Sequence, residues 1–208
     1  TPMTESRRDS SFIREINMKT NDYGIENTIM LVDLVDFKTG ESISLCSTDK
    51  IERNKAIEEH KEWIEVAKSI GCKAIRVNLW SNNMSADEVK NISQESLGEL
   101  LEFSNKIDMS IVIENHGGYT SDPKWLVDLI KSINHSNLGT LPDFGTRNFC
   151  VKTTPKKEGE VFGGKCIDQY DKYKGVEELL PYAMGISAKS HSFNDDGEEN
   201  STNYSKMI

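Results

Sequence analysis

The chain contains 208 residues, of which 36% are hydrophobic and 28% charged, and it carries a formal net charge of -9. This length suits one domain, and no apolar run approaches the roughly 18 residues of a membrane-spanning helix. The acidic balance argues against a nucleic-acid partner, because phosphate binding needs a concentrated basic surface. The first residues lack the apolar centre of a signal peptide, so we expect a cytoplasmic protein without a membrane partner.

Strand-like and helix-like patterns alternate along the chain. In order, they predict a helix over 10–23, a strand over 27–34, a helix over 48–71, a strand over 72–80, a helix after the capping box at Ser85 and Glu88, a strand from 109, a helix over 121–133, a strand over 138–145, a long irregular loop over 146–174, a short helix from 173, and a fifth strand over 185–193. Continuous apolar strands that alternate with helices indicate an α/β fold with a parallel sheet. No GxGxxG or GxxxxGK[ST] motif is present, so a barrel is favoured over a nucleotide-binding sheet.

The four cysteines predict free thiols. Cys46, Cys72, Cys150 and Cys166 form no CxxC pair, and Cys72 begins an apolar run. This pattern disfavours both a structural zinc site and disulfide bonds, and it agrees with a reducing compartment.

Polar side chains follow each apolar run where the strand ends. They are Asp33, Arg76, Asn78, Glu114, His116, Asp143, Lys189 and His191. Residues two apart share one face of a strand, and the carboxyl ends of barrel strands meet at one mouth. We therefore expect these groups to converge, with Trp80 lining the substrate entrance. Asn115 takes the opposite face from Glu114 and His116.

Three of these groups have the chemistry of metal ligands. Glu114, Asp143 and His191 each follow buried strand residues, where an ionised group needs a partner. Together they can share one divalent cation, and two carboxylates with one imidazole suit Mn²⁺, Co²⁺, Mg²⁺ or Zn²⁺. An ion-pair network with Arg76 and Lys189 is the alternative that the pattern leaves open.

The stretches VIENHGG, TLPDFG and GISAKSHSF resemble the sugar phosphate isomerase/epimerase family of xylose isomerase-like TIM barrels, which includes the AP endonuclease family 2 domains. The resemblance implies a TIM (β/α)8 barrel. It makes Glu114, Asp143 and His191 the first three of four metal ligands, and it places Arg76 and Asn78 on strand four as substrate-binding residues, with Lys189 and His191 on strand seven. Residues 1–208 then form one partial domain that holds about strands three to seven. An opened barrel exposes two sheet edges, and self-association is one way to cover them.

The same resemblance implies a metal-dependent isomerase or epimerase that acts on a sugar or sugar-like polyol by proton transfer. Glu114 would be an acid/base as well as a ligand, and Lys189 and His116 would polarise or hold substrate oxygens. The fourth ligand, a glutamate on strand eight that would also be the second acid/base, has no candidate in the chain. A non-catalytic sugar-binding barrel therefore remains an alternative. An endonuclease IV-like metallophosphodiesterase is disfavoured, because that chemistry needs a histidine where Thr146 stands.

Overall fold

The fold is known from a computed structural model that describes residues 9–35, 42–81, 84–155 and 164–207. The chain divides into two compact units. The first consists of Thr1–Ile113 and Ile133–Gly139, and the second of Glu114–Ser132 and Thr140–Ile208.

Helices and strands alternate through most of the chain, as predicted. The helices are α1 (Ser10–Tyr23), α2 (Lys50–Ser69), α3 (Ala86–Lys106), α4 (Pro123–Ile133), α5 (Lys172–Leu179) and α6 (Tyr204–Met207). The strands are β1 (Ile29–Leu31), β2 (Ala74–Val77), β3 (Ser110–Glu114), β4 (Leu138–Leu141), β5 (Cys150–Thr153) and β6 (Cys166–Gln169).

Strands β1 to β4 form one sheet in the order β1-β2-β3-β4. The β1–β2 and β2–β3 pairs are parallel, with Ile29 opposite Ala74 and Ala74 opposite Ser110. Every residue of β2 and β4 is buried, as are all residues of β3 after Ser110. Burial of successive residues means that both faces of the sheet are covered, which is typical of parallel sheets in α/β proteins.

Local signals in the sequence place most helix ends. Ser85 and Glu88 form the predicted capping box at the start of α3. Gly24 ends α1 in the left-handed conformation, with φ 62°, which a glycine adopts without strain. The helix predicted from residue 48 begins at Lys50 instead, because the Asp49 carboxylate caps it by accepting hydrogen bonds from its first turn. Ile51 in that turn is 83% exposed.

The predicted fifth strand is also wrong as a regular element. Within the residues that the structure describes, 185–193 forms no named strand. It makes isolated bridges instead, a parallel one between Ser187 and Asp143 and an antiparallel one between Phe193 and Glu199, and Ala183 just before it forms a parallel bridge with Thr140. Pro142 explains the interruption, because proline has no N–H to donate and β4 ends directly before it. The segment therefore runs beside β4 and its continuation without a continuous ladder.

The expectation of four free thiols is wrong for two cysteines. Cys150 and Cys166 form a disulfide that joins β5 to β6, and these strands pair antiparallel inside the region expected to be an irregular loop. Cys46 and Cys72 are free and buried. Burial raises the pKa of the Cys46 thiol to about 11, which makes it a poor nucleophile.

Among the described ranges, no helix is both long and apolar enough to cross a membrane.

Candidate functional site

In the first unit, Asp33 accepts hydrogen bonds from Arg76 in β2 and from Asn78 directly after it. Arg76 Nη1 and Asn78 Nδ2 each lie 2.5 Å from Asp33 Oδ1. The two donors share a face because they are two residues apart on an extended segment, as the sequence predicted. The Arg76 side chain is 4% exposed and that of Asp33 is 27% exposed. The guanidinium is thus neutralised by a carboxylate that water reaches.

Trp80 follows β2 and is half-buried. Its carbonyl accepts a hydrogen bond from the Ser44 hydroxyl at 2.6 Å, which fixes the backbone at this point. Its expected place at a substrate entrance stays a prediction.

In the second unit, the end of β3 carries a buried carboxylate. Glu114 is 2% exposed, and its Oε2 lies 3.4 Å from Nδ1 of His116, whose side chain is 48% exposed. The chain then turns sharply at Gly117 and Gly118, whose φ angles of 105° and 58° favour glycine. Alternation along the strand puts Glu114 and His116 on one face, so a buried acid is connected to an exposed imidazole.

Asp143 is the most enclosed acid of this unit, with 0% exposure. Its Oδ1 accepts the Gly145 N–H at 2.7 Å, and its Oδ2 accepts the Ser187 hydroxyl at 3.1 Å. The Lys189 ammonium lies 3.3 Å from Oδ2. Three donors therefore compensate the loss of hydration that burial imposes on this charge.

His191 lies near Gly145, beside the same carboxylate. A methyl group built on Gly145 would lie 2.9 Å from Asp143 Oδ1 and 3.5 Å from His191 Nε2. Both atoms thus face one small space beside Gly145, which stays open because glycine has no side chain. A carboxylate oxygen and an imidazole nitrogen in such an arrangement are donors of the kind that divalent cations prefer.

The loop that carries His191 is organised by Glu199. The Glu199 carboxylate accepts backbone N–H groups of His191 at 3.1 Å and Ser192 at 3.3 Å. It also accepts hydrogen bonds from the Ser201 hydroxyl and the Thr202 N–H. Burial opposes its ionisation, but these hydrogen bonds outweigh burial and lower the pKa of Glu199 to about 2.

Asn115 links the end of β3 to Asp143, and its own exposure is 0%. Its Oδ1 accepts the Asp143 N–H at 2.7 Å, and its Nδ2 donates to the Asp143 carbonyl at 3.1 Å. Nδ2 lies 3.4 Å from a second acceptor, the carbonyl of Asn148. The sequence pattern predicted only that Asn115 lies on the opposite face of the strand from Glu114 and His116. Its position directly between two predicted site residues was the signal that could have identified it.

The structure thus brings together only some of the predicted site residues. Asp143, Lys189 and His191 meet around Gly145, Glu114 meets His116, and Arg76 meets Asn78 at Asp33. In the part of the chain that the structure describes, no three His, Cys, Asp or Glu side chains are grouped closely enough to hold a metal ion. Two of the three predicted ligands, Asp143 and His191, therefore converge without Glu114 completing the group.

Comparisons with known proteins agree with this architecture. A family profile described as a xylose isomerase-like TIM barrel matches residues 2–150. No curated protein matches the sequence significantly.

Several solved structures are similar to this chain. A D-tagatose 3-epimerase-like protein is 20% identical and has a TM-score of 0.64, with 90% of this chain and 64% of that one covered. The 3-keto-D-glucoside 4-epimerase YcjR from E. coli is 12% identical, with a TM-score of 0.62 and coverage of 85% and 63%. A xylose isomerase-like TIM barrel protein from Mycobacterium smegmatis in complex with magnesium is 16% identical, with a TM-score of 0.58 and coverage of 90% and 60%. This chain thus spans 60–64% of the length of these three proteins, and identities this low indicate a shared fold.

Proposed function

The chain belongs to the xylose isomerase-like TIM barrel family, and from this premise we propose that it contributes the active site of a metal-dependent isomerase or epimerase acting on a sugar or sugar-like polyol. The observation that carries the proposal is the convergence of Asp143, Lys189 and His191 around Gly145. Two of the similar solved structures are an epimerase and an epimerase-like protein, which supports the substrate class. The chain spans less than two thirds of the length of these two proteins, so the activity stands as a proposal.

The donor chemistry fits a divalent cation. Asp143 Oδ1 and His191 Nε2 face the same space beside Gly145, and Glu114 is a further buried carboxylate of the same unit. We propose that Asp143 and His191 hold Mn²⁺, Co²⁺, Mg²⁺ or Zn²⁺, while Glu114, which does not join their group in this structure, stays a predicted third ligand. The magnesium complex of the M. smegmatis protein supports a divalent ion. When bound, the cation would polarise a substrate carbonyl and the neighbouring hydroxyl, and so acidify the hydrogen on the carbon between them.

The side chains suit proton transfer at such a carbon. Glu114 is held out of water at the end of β3, where its carboxylate would serve as the general acid/base of the reaction. His116, 3.4 Å from Glu114 and half exposed, connects that carboxylate to solvent for proton exchange. Lys189 is positioned by Asp143 and presents an ammonium donor for a negatively charged substrate oxygen. The substrate-binding roles of Arg76, Asn78 and Trp80 stay predictions.

Hydrogen exchange at the substrate carbon tests the reaction itself. The protein is incubated in D₂O with each of the four cations and a panel of ketohexoses, aldoses and cyclic polyols, and loss of C–H signals is followed by NMR. We expect metal-dependent deuterium incorporation that falls at least 100-fold in Glu114→Gln, since general acid–base catalysis contributes roughly 10²–10⁴-fold. Glu102→Gln is the matched control, because Glu102 makes only an exposed ion pair with Lys106. No incorporation over the whole panel, or equal incorporation in Glu114→Gln, would contradict the proposal.

A sugar-binding barrel without turnover is the second candidate, and the ion pairs favour it. Lys189 faces Asp143, and Arg76 faces Asp33, so each carboxylate already has a cationic partner without a metal. Saturable sugar binding without deuterium incorporation, and without any response to metal, would select this candidate over the enzyme.

The cytoplasmic location remains a prediction, and the disulfide bears on it. Disulfides persist mainly in oxidising compartments, so the Cys150–Cys166 bond favours a location outside a reducing cytosol.

A further inference from the structure

We propose that Asn115 is a positioning residue whose side-chain amide fixes the direction of the Asp143 carboxylate. The inference rests on the proposed function in that Asp143 is taken as a metal ligand, but the contact that carries it is independent of any ligand. Asn115 directly follows Glu114 in the sequence, and its side chain is hydrogen-bonded to the backbone of Asp143. This one residue therefore connects the two buried acids of the second unit.

The amide of Asn115 replaces a missing stretch of sheet. Asp143 lies just beyond Pro142, at which regular pairing of β4 stops. A primary amide carries one acceptor and two donors, as a pair of facing peptide groups would, and Asn115 uses both kinds on the same residue. It accepts the Asp143 N–H at 2.7 Å and donates to the Asp143 carbonyl at 3.1 Å.

The flanking backbone groups are fixed from the opposite side by one residue. Ser187 N–H donates to the Pro142 carbonyl at 2.9 Å, and Phe144 N–H donates to the Ser187 carbonyl at 3.1 Å. The backbone of Asp143 is thus held in an extended conformation between a side-chain amide and a neighbouring segment. The fixed peptide groups on both sides of its Cα set the direction of the Cα–Cβ bond, and contacts with Gly145 N–H, Ser187 and Lys189 then hold the carboxylate.

No other side chain of similar size can make this contact. Alanine would leave the buried N–H and C=O of Asp143 without these partners, and a buried polar group that loses its partner is destabilising. Aspartate keeps the shape and the acceptor but, when ionised, has no donor for the Asp143 carbonyl. The two substitutions therefore separate the loss of the whole contact from the loss of its donor half.

Amide NMR on the intact chain tests the contact without a ligand. The Gly145 N–H chemical shift reports where the Asp143 carboxylate points, because these groups are 2.7 Å apart. Hydrogen exchange of the Asp143 N–H reports the hydrogen bond to Asn115. The Met184 N–H, which donates to the Thr140 carbonyl at 3.1 Å in the same unit, serves as the internal reference. Mn²⁺ titration of the same samples reports the function.

In Asn115→Ala we expect Asp143 N–H exchange to accelerate at least tenfold relative to Met184, the Gly145 proton to move upfield, and Mn²⁺ affinity to fall at least tenfold. Asn115→Asp tests the same idea if alanine prevents folding: Gly145 should shift while Asp143 exchange changes less. Asn137→Ala is the matched control, because the Asn137 amide donates to the exposed Asn105 side chain at 3.2 Å and accepts from the exposed Ser136 hydroxyl at 3.3 Å, and it should change none of these readouts.

An unchanged Gly145 shift and unchanged Asp143 exchange in a folded Asn115 variant would overturn the inference. Equal acceleration at Met184 would also overturn it, since the amide would then act on global stability alone. If the wild type binds no Mn²⁺ but the Gly145 and Asp143 signals respond as expected, the proposed function fails while the positioning role of Asn115 stands.

Discussion

At the scale of single residues, buried charges are compensated in two different ways. The Asp143 carboxylate, with 0% exposure, is compensated by a backbone N–H, a serine hydroxyl and a lysine ammonium. Arg76 is paired with one carboxylate that water reaches. An enclosed carboxylate with several donors is costly to create and is typical of functional sites. Water reaches Asp33, the partner of Arg76, and screens this ion pair, so the pair is weaker evidence for a functional site.

His60 is a buried titratable group that the proposed chemistry does not use. It is 3% exposed in α2, and its Nδ1 lies 2.7 Å from the Ala56 carbonyl. Burial is the main cause that lowers the pKa of His60 to about 4, and the nearby Arg76 charge adds to it.

This lowered pKa predicts a loss of stability in acid. Between pH about 6.5 and 4 the unfolded chain binds a proton at this histidine that the folded chain does not, so the free energy of unfolding falls as the pH drops through this window. The loss should reach about 3 kcal/mol below pH 4, because a pKa of about 4 in place of 6.5 corresponds to roughly that free energy. Urea unfolding at pH 7 and pH 4.5 measures it.

His60→Gln removes the titration and should flatten this part of the pH dependence. An identical pH profile in wild type and His60→Gln would show that His60 is not the group responsible.

At the scale of elements, close packing in the second unit depends on one glycine. Gly175 in α5 faces Phe149, which ends a short 3-10 turn. A methyl group on Gly175 would overlap the Phe149 ring, with Cδ1 at 2.7 Å, and would lie 3.0 Å from Pro123 at the start of α4. The glycine is therefore required by space, since its φ does not lie in the left-handed region.

Gly175→Ala is expected to destabilise the protein by about 1–3 kcal/mol, because a clash in a packed interior forces neighbours to move. Gly98→Ala in α3 is the matched control, since nothing lies within 4 Å of its methyl position. It should raise stability by about 0.5–1 kcal/mol through the better helix propensity of alanine. Thermal unfolding of both variants measures the difference, and shifts of the same sign would contradict the packing described for α5.

The success of sequence-based prediction differs between kinds of element. The capping box of α3 was predictable because Ser85 and Glu88 interact only with local backbone. The irregular pairing over 185–193 was not, because it depends on Pro142 interrupting a strand that is distant in sequence. The disulfide was missed for a similar reason: Cys150 and Cys166 are 16 residues apart and come together only through the β5–β6 pairing.

The candidate site shows the same division. Alternation along β2 correctly put Arg76 and Asn78 on one face, but no pattern could show that Asp33 occupies both. Likewise, the apolar run before Glu114 predicted a buried acid, while the backbone contact of Asn115 required the paired geometry of β3 and its neighbours. Periodicity determines which side of a strand a residue takes, and tertiary structure determines what it meets there.

At the scale of the whole molecule, the fold and the family are established and the activity is proposed. The match over residues 2–150 assigns the chain to the xylose isomerase-like barrels, and the parallel sheet agrees. Solved barrels of this fold that include sugar epimerases extend beyond the length of this chain. The single-domain and homo-oligomer expectations stay predictions.

Titration of Mn²⁺ into the wild-type chain, followed by calorimetry, tests the central claim most directly. We expect saturable binding at one site, weakened at least tenfold in Asp143→Asn and in His191→Gln. His191 is exposed, so its substitution is compatible with folding. Asp22→Asn, an exposed acid on α1, should bind as the wild type does. Absence of binding in the wild type, or equal affinity in all four proteins, would contradict a metal site built on Asp143 and His191.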